Sequence, residues 1–159
     1  MRRLLPVVFA AALAVTPSSA FGQVDLGAQL SWGTDNAGLA LGGRLNWVWP
    51  WEPSTSMIGS FDYFFPDGFD LWEINVNLAY SFPLDIEDFG LYGGAGMNWA
   101  HFSSLGERNL SDDKFGLNLL GGIKYFLPTV IPYGEVRVAL GGAEHWVFTG
   151  GVLFDIGTD

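Results

Sequence analysis

Of 159 residues none is cysteine, only seven are Lys or Arg, and charged residues make up just 15%. Each shortage excludes something. Without cysteine there is no disulfide framework and no lipid-anchored lipoprotein terminus. With so few cations and a formal charge of −10, no basic face exists to grip nucleic-acid phosphates. Soluble domains are roughly a quarter charged, so a chain this sparsely charged and 49% hydrophobic makes a poor water-facing surface. Long apolar runs are missing too. After the N-terminus nothing approaches the ~20 residues of a spanning helix. A chain of this length is expected to form one domain, and if it sits in a membrane without spanning helices it must cross as a closed barrel of strands, the other fold that satisfies every backbone polar group in lipid.

The N-terminus reads as an address. Arg2 and Arg3 form a basic region, Leu4 to Val15 an apolar stretch, and Thr16 to Ala20 a small-residue segment. Ser18 and Ala20 fit the −3 and −1 positions of a signal-peptidase site, which predicts a cleaved signal peptide over residues 1–20 and a mature domain over 21–159. Losing Arg2 and Arg3 leaves five cations against seventeen acids, a mature charge of −12.

The mature chain shows eight segments of period two, each with one apolar and one small or polar face. Val24 to Trp32, Leu39 to Trp49, Met57 to Phe65 and Trp72 to Phe82 are followed by Phe89 to Trp99, Phe115 to Tyr125, Glu135 to Leu140 and Trp146 to Ile156. The fourth is the cleanest: Trp72, Ile74, Val76, Leu78, Tyr80 and Phe82 alternate with Glu73, Asn75, Asn77, Ala79 and Ser81. Turn formers separate them, including Gly33 to Asn36, Pro50 to Pro53, Pro66 to Gly68, Ser103 to Asp113 and Pro128 to Pro132. The spacing predicts an all-β fold, an eight-stranded antiparallel up-and-down barrel.

Volume decides which face looks out. The alternative, a soluble lipocalin-like barrel, would put the apolar face inside, but eight strands leave an interior just wide enough for ordinary side chains. The rings on that face would not fit. The apolar faces also carry no Asp, Glu, Lys or Arg, and a cation at the bilayer midplane of a barrel costs roughly 2–4 kcal/mol. A transmembrane barrel is therefore predicted. Trp32, Phe65, Trp72, Trp99, Phe115 and Trp146 gather at one set of strand ends, and Trp47, Trp49, Tyr80, Phe82, Phe89, Tyr125 and Phe154 at the other, as two interfacial girdles would.

Together these features resemble the small eight-stranded outer-membrane β-barrel proteins of Gram-negative bacteria, the outer-membrane protein A/X/W-like superfamily. Thr149-Gly150-Gly151-Val152-Leu153-Phe154-Asp155-Ile156 is similar to that group's terminal strand signal, polar-x-Gly-x-x-hydrophobic-x-hydrophobic, carried here by Thr149, Gly151, Phe154 and Ile156. Pro132 to Arg137 looks like its penultimate strand. The resemblance implies export to the cell outer membrane, both termini in the periplasm, and outer-membrane lipids, lipopolysaccharide and the barrel-assembly machinery as partners of a monomer. It implies outer loops at Gly33 to Ala37, Pro66 to Asp70, His101 to Lys114 and Gly141 to Glu144, with only the third long.

The polar face predicts a lumen network of Asp25, Arg44, Asp62, Glu73, Lys124, Glu135 and Arg137. Such a set can line a charged pore constriction or fill a narrow barrel with paired groups. The second is favoured, because eight strands leave no continuous channel, and each cation is then expected beside a carboxylate. The expected role is structural, or that of a small interaction surface. No cofactor, metal-ligand cluster or catalytic set is assigned. One tripeptide supports an alternative: His101-Phe102-Ser103, with Glu107, Asp112 or Asp113 nearby, is similar to the His/Ser/Glu triad of outer-membrane lipid A deacylases, in which histidine is the base and serine the nucleophile. Ser104 follows here, where that family has asparagine.

Overall fold

The computed structural model describes residues 22–104, 111–141 and 144–156. The signal segment, Phe21, Glu107 and Arg108 lie outside the described residues. Eight strands follow one another in chain order: β1 (Val24–Gly33), β2 (Gly38–Trp49), β3 (Glu52–Phe64), β4 (Phe69–Phe82), β5 (Phe89–Ser104), β6 (Ser111–Tyr125), β7 (Ile131–Leu140) and β8 (His145–Asp155). Each pairs antiparallel with its neighbours, and β1 closes on β8 from Asp25↔Asp155 to Gly33↔Val147. The predicted barrel is the observed one.

The strands are tilted, as closure requires. The lateral partners Val24, Trp47, Met57, Leu78, Ala95, Leu119, Val138 and Trp146 trace one circuit of the wall. The circuit starts at the first residue of β1 and returns beyond its last, where the Trp146 carbonyl accepts from the Thr34 amide at 2.9 Å. Because side chains alternate along a strand, the tilt leaves parity untouched. Leu30, Val76 and Leu119 face outward at 50–53% exposure, while Asp62, Glu73 and Asn75 point in and are fully buried.

Aromatic rings ladder across the wall at the end opposite the termini: Phe61 lies 6.2 Å from Trp72, Trp72 5.1 Å from Trp99, and Trp99 5.9 Å from Phe115. At the terminal end Trp49 meets Trp51, Tyr80 meets Phe82 and Phe89 meets Tyr125. The cross-strand pairs among these, such as Trp99 with Phe115 and Phe89 with Tyr125, are each worth about 0.2–1 kcal/mol.

Several boundaries differ from the sequence reading, among them the starts of β4 at Phe69 rather than Trp72 and of β7 at Ile131 rather than Glu135. The third strand begins at Glu52 rather than Met57, its register with β2 shifting between Val48 and Trp49, which accommodates the Pro50 to Pro53 segment. In the segment expected as a long loop, His101 to Lys114, the described residues His101 to Ser104 and Ser111 to Lys114 are strand. His101 pairs with Asp113, Phe102 with Asp112 and Ser103 with Ser111. Above the membrane both faces of a hairpin meet water, so the alternation that marks a strand in lipid is absent there.

Candidate functional site

The lumen is built from the inward positions of all eight strands, and its polar residues form a ladder. Nearest the termini, Asp25 accepts from Gln23 and from Asn46, both at 2.9 Å. Above it Arg44 Nη1 lies 2.7 Å from Glu135 Oε2, which also accepts from the Tyr92 hydroxyl at 2.8 Å. The guanidinium is held between two rings, 4.3 Å from the Tyr133 centroid and 5.6 Å from that of Tyr92. The Tyr133 hydroxyl donates to Gln29 Oε1 at 2.6 Å, and Gln29 Nε2 donates to Asp62 Oδ1 at 2.6 Å. Ser31 also donates to Asp62 and shares a 2.8 Å hydrogen bond with Thr149. Arg137 then bridges Glu73 at 3.0 Å and Asp62 at 3.5 Å, and His145 Nε2 lies 3.0 Å from the other oxygen of Glu73. On the β4 to β6 side, Asn118 donates to Asn75 and to Asn77, each at 3.0 Å.

Of the lumen residues named from sequence, Arg44 thus meets Glu135, and Arg137 meets both Glu73 and Asp62. Lys124 differs. Its ammonium sits 5.1 Å over the Tyr92 ring, and among the described residues it makes no salt bridge with a carboxylate. A cation over an aromatic face is stabilised by the ring quadrupole, which here stands where a carboxylate was expected.

Several lumen residues were not picked out from sequence. Tyr92 and Tyr133 project inward among small neighbours, and the signal for them is glycine. A Cβ at Gly122 would come within 2.5 Å of the Tyr92 ring and hydroxyl, and one at Gly151 within 2.7 Å of those of Tyr133. Towards the mouth opposite the termini, the apolar side chains Ala37, Ala40, Phe64, Leu71, Ala100 and Val147 form one buried cluster. At the terminal end Ile131, Tyr133 and Leu153 form a second apolar layer. Buried charges in such surroundings persist only when paired and hydrogen-bonded.

A separate constellation stands on the outer wall at the rim opposite the termini. The pairing of β5 with β6 places His101 against Asp113, Nδ1 to Oδ1 at 2.6 Å, and stacks the imidazole on Trp72 with centroids 5.0 Å apart. Trp99 Nε1 donates to the same Asp113 oxygen at 3.3 Å. The carboxylate can only accept, so Nδ1 carries the proton of this hydrogen bond. That hydrogen bond holds the exposed Asp113 carboxyl below the ordinary carboxylate range. Ser103 lies two residues along the same face of β5, and no hydrogen bond joins it to His101. Asp112 pairs with Phe102 and points away from this face.

Of the terminal strand signal, Thr149 and Gly151 face the lumen, while Phe154 and Ile156 are about half exposed on the outer wall.

The fold is shared with solved membrane barrels. The chain is similar to the N-terminal β-barrel domain of Pseudomonas aeruginosa OprF, with a TM-score of 0.72 and 15% identity over 86% of this chain and 98% of that one. It is similar to Neisserial surface protein A, at 0.62 and 16% over 84% and 96%. It is also similar to Ail, the attachment invasion locus protein of Yersinia pestis, at 0.56 and 22% over 84% and 95%. At these identities the likeness is one of fold alone. No curated protein matches the chain by sequence. Residues 4–134 match the family model of the outer membrane protein β-barrel domain. With a closed eight-stranded barrel, an apolar outer wall and that match, the chain is an outer-membrane β-barrel protein belonging to the outer membrane protein β-barrel domain family.

Proposed function

We propose that this barrel is a non-conducting scaffold of the outer membrane, its lumen sealed by its own side chains, with a structural role or a small interaction surface. The observation that carries the reading is the apolar mouth: Phe64 and Val147 are 0% exposed, although both point into the lumen where a pore would need water. Below them the cations Arg44 and Arg137 are held by carboxylates, so little free charge is offered to a passing ion. The partners of this reading are outer-membrane lipids, lipopolysaccharide and the barrel-assembly machinery, the last engaging Thr149, Gly151, Phe154 and Ile156. Liposome swelling with small sugars tests it. Proteoliposomes holding the native barrel should swell no faster than empty ones, and fast uptake of a disaccharide would end the proposal.

The His101–Asp113 pair favours a second reading, a hydrolase acting on an ester of the surrounding lipid, lipid A included. A histidine oriented by a carboxylate is the base that a serine nucleophile needs, and Ser103 is the hydroxyl on the same face. The pair sits on the outward face at the rim, where the substrate would be an ester at the membrane surface rather than a solute in the lumen. Mass spectra of lipid A from cells carrying the native protein, Ser103→Ala or an empty vector decide it. A lost acyl chain that depends on Ser103 supports the hydrolase; three identical spectra remove it.

A further inference from the structure

A groove of about 850 Å³ is scored into the outer wall across β5 to β8. Its floor is Gly93, Gly121, Gly134 and Gly150, and it is flanked by the rings of Phe82 on β4 and Phe148 on β8. The barrel does not need three of these glycines; at the fourth, Gly93, a Cβ would come to 3.3 Å from the Phe82 ring. None has a positive φ, and a Cβ would meet nothing within 4 Å at Gly150, and nothing nearer than 4.0 Å at Gly134 or 3.8 Å at Gly121. Glycine weakens a strand interior, and elsewhere the same wall presents large apolar side chains such as Leu117 and Leu119. A hollow kept at this cost serves an occupant from outside.

The occupant must be apolar, because the groove lies within the membrane. A second copy of the chain fits poorly. A two-fold dimer across this face would lay groove upon groove and enlarge the gap. An acyl chain lying along the floor is contacted from three sides instead of one, and dispersion contacts accumulate accordingly. Charge selects the headgroup. The turn from β4 to β5, which leads out of Phe82 into Phe89, carries Asp85, Glu87 and Asp88, all exposed, and no cation. Leu84 and Ile86 alternate with them and are exposed as well, which suits the boundary between acyl chains and headgroups. An anionic headgroup would be repelled there, whereas an ammonium would be held.

We propose that the β5 to β8 groove binds one acyl chain of a phospholipid with a primary-amine headgroup, in the leaflet on the side of the termini, its ammonium at Asp85, Glu87 and Asp88. The inference rests on the chain's place in the outer membrane and not on a sealed lumen, so conductance through the barrel would leave it standing. Native mass spectrometry of the full barrel in detergent, with phosphatidylethanolamine or phosphatidylglycerol of identical chains, tests it. The expected result is retention of one phosphatidylethanolamine at about tenfold higher occupancy, near 1.4 kcal/mol. Gly121→Leu should cut that retention about tenfold, while Gly59→Leu, which faces open space on the opposite wall, leaves it unchanged. Asp85→Asn with Glu87→Gln and Asp88→Asn should erase the preference between lipids but keep a lipid bound. Equal retention of both lipids by every variant would overturn the proposal. So would a dimer that Gly121→Leu disperses, because the occupant would then be a second copy.

Discussion

Arg44 on β2 and Glu135 on β7 meet at 2.7 Å across the interior of the barrel, ninety-one positions apart in sequence. Neither can turn to water, since both lie inside the wall. Removing one partner of a buried ion pair strands the other, at a cost of about 3–5 kcal/mol, whereas replacing both can be close to neutral. Arg44→Met is therefore expected to destabilise the barrel by about that amount, and Arg44→Met with Glu135→Gln by much less. Urea titrations of folding into liposomes, arranged as a double-mutant cycle, measure the coupling. Additive losses would show that the pair does not act as a unit.

Glycines on the two faces of the wall should behave oppositely. Gly122→Ala drives a methyl to 2.5 Å from Tyr92 and 2.6 Å from the Gly134 carbonyl, so overpacking of about 1–3 kcal/mol is expected. Gly150→Ala meets nothing within 4 Å and should be neutral or slightly stabilising. Paired unfolding midpoints check this, and equal effects would mean that Tyr92 is free to move aside.

The His101–Asp113 contact has a pH signature. The hydrogen bond from His101 depresses the Asp113 carboxyl in the folded protein. Its contribution is therefore present above the ordinary carboxylate value near 4 and fades as pH falls through the lower, folded value. His101→Ala should move the Asp113 midpoint upward, toward the ordinary range. Carboxyl-carbon NMR titration of the native and variant barrels reads the shift directly. An unchanged midpoint would show that the imidazole does not hold the carboxylate.

Cleavage before Phe21 predicts a mature protein whose first residue is Phe21. N-terminal sequencing of the outer-membrane fraction should begin Phe-Gly-Gln-Val, and a start at Met1 would refute the signal peptide.

Period two is a local property, so the faces of β4 could be read from Trp72 to Phe82 without knowing any neighbour, and barrel closure followed from the absence of another way to cross lipid. What parity could not supply was register. Whether Arg137 meets Glu73, Asp62 or Glu135 depends on how far each strand slides past the next, a quantity spread over eight pairings. Parity was also informative where it was not used: Tyr92, Phe64 and Leu71 occupy inward positions in segments whose visible pattern was outward aromatics and inward small or polar residues. The rim hairpin was hidden for a different reason. Ser103, Ser104, Ser111 and Asp112 stand beyond the bilayer, where nothing enforces alternation, so paired strand reads there as loop. The His101–Asp113 contact became visible only once β5 and β6 were aligned.

Planar-bilayer recording tests the central claim, a barrel sealed by its own side chains, most directly. Native protein at moderate voltage should give no stable conductance steps. Phe64→Ala with Leu71→Ala, which strips the apolar mouth above the paired charges, should give at most brief, small events. Long-lived, uniform steps from the native protein would contradict the account.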